Sequence, residues 1–298
     1  FHWTCLPFGL KSSPAICQRI LSNIIRKHKL SDFAVNYIDD ILIFSKTFEE
    51  HINHLSQLLE AIMNEGFRLK FSKCTFALDS VQYLGHVIGY KSISPLKDNL
   101  ISIRNFPVPR NQKNVRQFLG KINFYNEYVP KISIILEPLH NLLRKGQKFT
   151  WSTECQKAFE YMKNFLCQQP VLAIFDPELP IHIYTDASLQ GIAAVMKQPQ
   201  LNNNSEIEKP VAYFSKKLNE SQKRKKAIYL ECLAIKEAVQ YWQHLLIGKH
   251  LKMFSDHKPL EKLNIKARTD EELGDLTFYL EQYDMEIIYR PGRHNLEA

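Results

Sequence analysis

Two adjacent aspartates, Asp39 and Asp40, interrupt the run from Phe33 to Phe44, which is otherwise mostly apolar, β-branched and aromatic. Isolated carboxylates are costly to desolvate, so a buried strand running through both is disfavoured. At the tip of a tight hairpin, by contrast, both strands can pack while the Asp oxygens face an open cleft. A divalent cation there would offset their mutual repulsion. The plain alternative is an ordinary hairpin whose turn uses Asp, a favoured turn residue. The hairpin alone does not choose between these readings, so its neighbours must.

Upstream lies Leu6-Pro7-Phe8-Gly9-Leu10-Lys11-Ser12-Ser13-Pro14-Ala15, and downstream Val81-Gln82-Tyr83-Leu84-Gly85-His86-Val87-Ile88. With Tyr37-Ile38-Asp39-Asp40 between them, the three segments resemble, in order and spacing, the reverse transcriptases of LTR retrotransposons, the gypsy-like branch in particular. The resemblance implies that the first segment is a nucleotide-and-template motif at the entrance to a palm helix, with Phe8, Gly9 and Gln18 as contacts. Phe8 stands where retroviral relatives often carry Gln. The third segment is implied to be a primer grip built on Leu84, Gly85 and His86. Asp39 is then the principal metal ligand, with Asp40 in support.

Composition agrees without deciding. The 298 residues suit about two domains of roughly 100 to 200 residues each. A hydrophobic share of 45% is enough for a sizeable core rather than a disordered tail. Lys and Arg outnumber Asp and Glu by 39 to 31, and pI ≈ 9.0 favours a polyanionic partner. Cys5, Cys17, Cys74, Cys155, Cys167 and Cys232 form no CxxC pair and no zinc spacing, which suggests reduced thiols in an intracellular protein. That fits a cytoplasmic particle with possible nuclear access. No run of about 18 apolar residues suggests a membrane span. The chain opens on Phe1 rather than Met, and the expectation is a piece of something longer.

Along the chain, Ser12-Ser13-Pro14 and the stripe Ile16, Ile20, Leu21, Ile24 predict a capped helix with basic residues at its end. A hairpin is expected at 33 to 45, and an amphipathic helix over 49 to 65, closed by Gly66. Short strands are expected at 75 to 77 and 82 to 88. Prolines at 95, 107 and 109 mark a change of character. Helical patterns follow at 114 to 128 and 132 to 143, then a helix from Trp151-Ser152-Thr153 to about 168. Strands are expected at 181 to 184, 191 to 196 and 211 to 215, with a polar turn at 198 to 205. A long helix at 226 to 246, a strand at 251 to 254, helices over 257 to 282 and a strand at 286 to 289 complete a mixed sheet flanked by helices.

That second half carries its own acids: Asp186 at one strand end, Glu231 early in the long helix and Asp256 at another strand end. Carboxylates so placed can converge on one oxygen-only cation site. Taken singly, the two Asp could be strand-end caps and Glu231 a solvated helix acid. The segments Tyr184-Thr185-Asp186-Ala187-Ser188, Tyr229-Leu230-Glu231-Cys232 and Phe254-Ser255-Asp256-His257 resemble ribonuclease H of the retrotransposon type. Glu237 and Glu281 are read as ordinary surface acids. His294 could shuttle protons near the site.

The resemblance covers essentially the whole chain and implies a mixed α/β (α+β) fold: a partial palm at 1–92, a thumb or connection-like helical segment at 93–150, and a connection helix with a ribonuclease H-like domain at 151–298. It implies an RNA-directed DNA polymerase and RNA·DNA-hybrid ribonuclease using Mg²⁺. The partners would be RNA template, DNA primer, hybrid, deoxynucleoside triphosphates and the remainder of a Pol polyprotein. In that pattern one palm Asp precedes residue 1, and one nuclease Asp follows Ala298, where Glu297 does not align. The 298 residues by themselves are therefore expected to extend primers poorly. The alternative is a non-catalytic nucleic-acid-binding remnant of a decayed element, and a cellular scaffold on the same fold is a third reading.

Overall fold

The computed structural model describes residues 9–202, 205–262 and 271–292. The chain divides into two compact units, Phe1–Tyr83 and Leu84–Ala298.

In the first unit, α1 (Ser13–Lys27) has Pro14 in its first turn and Arg26 and Lys27 in its last, where they complement the helix dipole. The expected Ser12 cap is not made: Ser12 already has helical angles, and its side chain makes no capping bond. The buried stripe Leu21, Ile24 and Ile25 packs with Leu58, Ala61 and Ile62 of α2 (Phe48–Asn64) and with Leu30, Phe33 and Ala34. Thr47 caps α2 by accepting the Glu50 N–H at 3.2 Å, and Glu50 reaches back to the Lys46 N–H at 3.1 Å. Gly66, at φ +79°, follows its end. Against this two-helix core lies the antiparallel hairpin β1 (Ala34–Tyr37) and β2 (Asp40–Ile43). The strand expected at 75 to 77 does not form, because Ala77 sits at φ +51°, which breaks an extended run. The unit ends with β3 (Val81–Tyr83).

The second unit opens with β4 (His86–Gly89) and β5 (Ser92–Pro95), antiparallel to each other. Beyond them are α3 (Lys97–Arg104), α4 (Gln112–Asn123), the short α5 (Ile132–Ile135) and α6 (Glu137–Asn141), and α7 (Thr153–Cys167). Ser152 caps α7 as the sequence suggests, accepting the Cys155 N–H. These helices bury Phe118, Ile122, Leu139, Phe159, Met162 and Leu166 among themselves. The two-residue strand β6 (Leu172–Ala173) joins β5.

The larger sheet contains β7 (Ile181–Ala187), β8 (Gly191–Asn202), β9 (Ser205–Lys217), β10 (Leu251–Ser255) and β11 (Met285–Tyr289), in the order β11-β10-β7-β8-β9. β7, β8 and β9 are antiparallel, while β10 runs parallel to both β7 and β11. α8 (Ala227–Tyr241) and α10 (Glu271–Leu280) pack apolar residues onto it, and Trp242 separates α8 from α9 (Gln243–Leu246). The expected polar turn at 198 to 205 is largely strand. Gln198 is buried there because its side-chain amide is satisfied by the Asp176 N–H and the Asp176 and Leu179 carbonyls. Among the described residues no helix is long and apolar enough to cross a membrane, and five cysteines are free thiols.

Candidate active sites

In the first unit, Tyr37 pairs with Asp40 across a two-residue turn made of Ile38 and Asp39. Ile38 adopts φ +54°, a left-handed conformation that is costly for a β-branched side chain. Helix α1 holds it there. The Ile38 N–H donates to Gln18 Oε1 at 2.5 Å, Gln18 Nε2 donates to the Asn36 carbonyl at 3.2 Å and to Ser22 Oγ at 3.0 Å, and Ser22 Oγ donates to Asn36 Oδ1 at 3.0 Å. Cys17 Sγ faces the Ile38 carbonyl at 3.8 Å. The result presents Asp39 and Asp40 exposed at the hairpin tip. Burial, with the Asp40 charge second, raises the Tyr83 phenol above its ordinary range, which puts that ring in the field of the hairpin acid.

Gln18 therefore faces the hairpin turn. Its amide is committed to the turn backbone, so it acts on the aspartates through Ile38. Gly9, at φ +88°, is exposed ahead of α1. Phe8 lies outside the described residues.

The primer-grip residues Leu84, Gly85 and His86 open the second unit. Leu84 (φ +49°) and Gly85 (φ +80°) are both left-handed. A Cβ on Gly85 would lie 3.0 Å from the Phe124 ring, and its carbonyl accepts the Tyr125 hydroxyl at 3.0 Å. His86 stacks on Phe124 with centroids 5.2 Å apart, and its Nδ1 shares a hydrogen bond with the Tyr128 hydroxyl at 2.9 Å. Burial lowers the imidazole pKa, against the raising effect of Glu127, which disfavours the charged form of the ring.

The three acids of the second half lie near one another at one end of the larger sheet. Asp186 lies near the end of β7, and Asp256 follows the parallel neighbour β10. Glu231, on α8, is only 5% exposed. Its two oxygens accept the Ala187 N–H and the Ser255 hydroxyl, each at 3.2 Å. Burial first, then the charges of Asp256 and Asp186, push its pKa up to about 8. Lys131 Nζ lies 2.8 Å from Asp186 Oδ2. Nothing in the sequence pointed to Lys131, a lone cation after Pro130 far from the acids in the chain. The donor set is oxygen-only and carries an excess of negative charge, which suits a hard divalent cation. As placed, however, no three His, Cys, Asp or Glu side chains among the described residues are close enough together to hold one. Glu237, expected at the surface, instead pairs with Lys216 at 2.7 Å with a largely covered side chain. His294 and Glu297 lie outside the described residues.

Residues 1–88 match the family described as reverse transcriptase (RNA-dependent DNA polymerase), and residues 151–253 match the RNase H-like domain found in reverse transcriptase. The Tf2-3 and Tf2-7 transposon polyproteins of Schizosaccharomyces pombe are 32% and 31% identical over 99% of the chain. The chain belongs to the reverse transcriptases of LTR retrotransposons. It spans 22% of the length of those Tf2 polyproteins. This retrotransposon reverse transcriptase also shares its fold with a foamy viral protease-reverse transcriptase solved in complex with double-stranded DNA, at a TM-score of 0.84 and 22% identity over 97% of this chain and 50% of that one. A second structure, the foamy viral protease-reverse transcriptase in complex with an RNA/DNA hybrid, matches at a TM-score of 0.77 and 22% identity over 97% of this chain and 39% of the other. The retrotransposon chain thus carries a reverse transcriptase domain followed by an RNase H-like domain, two domain types that generally use divalent metals. Asp186 and Glu231 lie within the matched RNase H-like segment, and Asp256 lies three residues beyond it.

Proposed function

We propose that this chain supplies a retrotransposon polyprotein with RNA-directed DNA synthesis from its first unit and cleavage of the RNA strand of RNA·DNA hybrids from its second. The observation that carries the reading is Glu231, buried with a raised pKa between two further carboxylates at the strand ends of an RNase H-like sheet. The exposed Asp39-Asp40 tip is its polymerase counterpart. Magnesium, held by Asp39 and Asp40 in one site and by Asp186, Glu231 and Asp256 in the other, would activate the attacking oxygen and stabilise the leaving one.

The chain's own residues do the positioning. Gln18 and Ser22 fix the turn that presents the hairpin acids, and Ser255 and the Ala187 N–H fix the Glu231 carboxyl. Gly85, braced by Tyr125 and Phe124, offers a rigid rim for a primer strand. Partners on this reading are an RNA template, a DNA primer, the hybrid and deoxynucleoside triphosphates. The hybrid would be recognised by shape and phosphate contacts rather than base edges. The test places Asp39→Asn and Asp186→Asn separately in the full gene product carrying this chain. Asp39→Asn should abolish primer extension and spare hybrid cleavage, and Asp186→Asn should do the reverse. Salt-sensitive hybrid binding without either turnover would overturn the enzymatic reading.

A further inference from the structure

Lys131 lies outside the matched RNase H-like segment, yet its ammonium reaches Asp186 Oδ2 at 2.8 Å. The structure builds that approach from several directions. Lys131 holds a left-handed backbone, φ 52° and ψ 29°, and its carbonyl accepts the N–H groups of Ile134 and Ile135 that open α5. Two residues on, the Ser133 N–H donates to Ser215 Oγ of β9 at 2.9 Å. The Ile134 side chain fills the space beside Gly191 of β8, where a Cβ would come within 3.0 Å of it. The segment around α5 is thus seated on β8 and β9, next to the end of β7 that carries Asp186.

An ammonium hydrogen-bonded to a carboxylate oxygen cannot stay put when a divalent ion takes that oxygen at about 2.1 Å. Left about 4 Å from a dication, it would weaken binding roughly thirtyfold even at the dielectric constant of water. The geometry points to Lys131 as the exchangeable counter-ion of Asp186: its ammonium and a divalent cation compete for one oxygen, so the α5 segment sets the metal affinity of the nuclease site. This rests on the reading of Asp186, Glu231 and Asp256 as a metal-dependent nuclease site. It adds a residue from outside the nuclease segment and a direction of effect.

The experiment is calorimetric titration of Mn²⁺ into the full chain carrying Asp39→Asn and Asp40→Asn, so that the hairpin contributes no site. Lys131→Met should tighten Mn²⁺ binding by about threefold to tenfold, and Lys131→Arg, which keeps the charge, should stay within about twofold of the parent. Asp186→Asn should weaken binding at least tenfold. If Asp186→Asn weakens binding while Lys131→Met leaves it unchanged or weaker, the competition is refuted and the nuclease reading stands. If Asp186→Asn has no effect, both fall. The side chain of Lys131 is 40% exposed, so Lys131→Met is expected to fold, and its thermal melting curve checks this.

Discussion

Replacing Glu231 with Gln keeps the shape of the side chain and an acceptor for the Ala187 N–H, turns the second oxygen into an amide nitrogen that donates to the Ser255 hydroxyl, and removes the charge. The native group titrates near 8 against an ordinary value of 4.5, chiefly because it is buried and then because of Asp256 and Asp186. The folded chain therefore holds a proton that the unfolded chain releases from about pH 4.5 upward. Between about 4.5 and 8 the folded state binds more protons, so this group lowers stability as pH rises through that window, and above 8 its penalty is complete. A difference of roughly 3.5 units at about 1.36 kcal/mol each sets a ceiling near 5 kcal/mol, and local relaxation and water entry bring the expected value to roughly 2–5 kcal/mol. Glu231→Gln should accordingly lie within about 1 kcal/mol of the parent at pH 5 and exceed it by roughly 2–5 kcal/mol at pH 9. Urea unfolding followed by Trp242 fluorescence, in a background with Trp3→Phe and Trp151→Phe, reads the right core, since Trp242 is buried against the same sheet. Added Mg²⁺ should narrow the gap, because a cation favours the ionised glutamate and not the amide. Parallel pH profiles for parent and variant would refute the argument.

Gln18→Leu removes the acceptor of the Ile38 N–H and should cost the first unit about 1–3 kcal/mol. Hydrogen exchange at the Ile38 amide should accelerate and primer extension should fall while hybrid cleavage is unchanged. Gly85→Ala puts a methyl at φ +80° against the Phe124 ring and should cost about 1–2 kcal/mol in the second unit, read by denaturant unfolding. It should weaken primer-template binding more than it slows the nucleotide-addition step, and the reverse order would sink the proposed rim.

Periodicity and caps made much of this fold legible. The stripe of α2 with Thr47 before it, the Ser152 cap of α7 and the alternation at Ile181 and Ile183 all depend on neighbours a few residues away. Most of the failures share a cause: distant partners overrode local preference. Gln198 and Gln200 read as turn residues because they are polar, but both are buried in β8, and Gln198 finds its hydrogen bonds across 22 residues at Asp176. At 75 to 77 the composition suits a strand, and the left-handed Ala77 prevents it. At the sites, the identities of the acids were readable and their circumstances were not. Asp186, Glu231 and Asp256 stood out as types at strand and helix ends, whereas the burial of Glu231 and the arrival of Lys131 depend on packing between segments 24 to 55 residues apart. The bond from Ile38 to Gln18 was hidden for the same reason, since the two lie 20 residues apart.

The two sets of carboxylates are held by opposite devices, and this predicts different vulnerabilities. At the hairpin the acids stay in solvent and the unfavourable element is backbone, a left-handed isoleucine kept in place by hydrogen bonds from α1. Damage there should come from residues such as Gln18 and Ser22 that carry no charge and touch no aspartate. In the RNase H-like domain the strands and α8 are ordinary and the unfavourable element is electrostatic, a carboxyl buried beside two others. That site should tolerate changes in shape around α8 better than changes in charge, because each positive group brought near Asp186 relieves the repulsion a cation would otherwise relieve. Lys131 is such a group, so removing it should leave the repulsion for a bound cation to relieve and free the Asp186 oxygen that the cation takes.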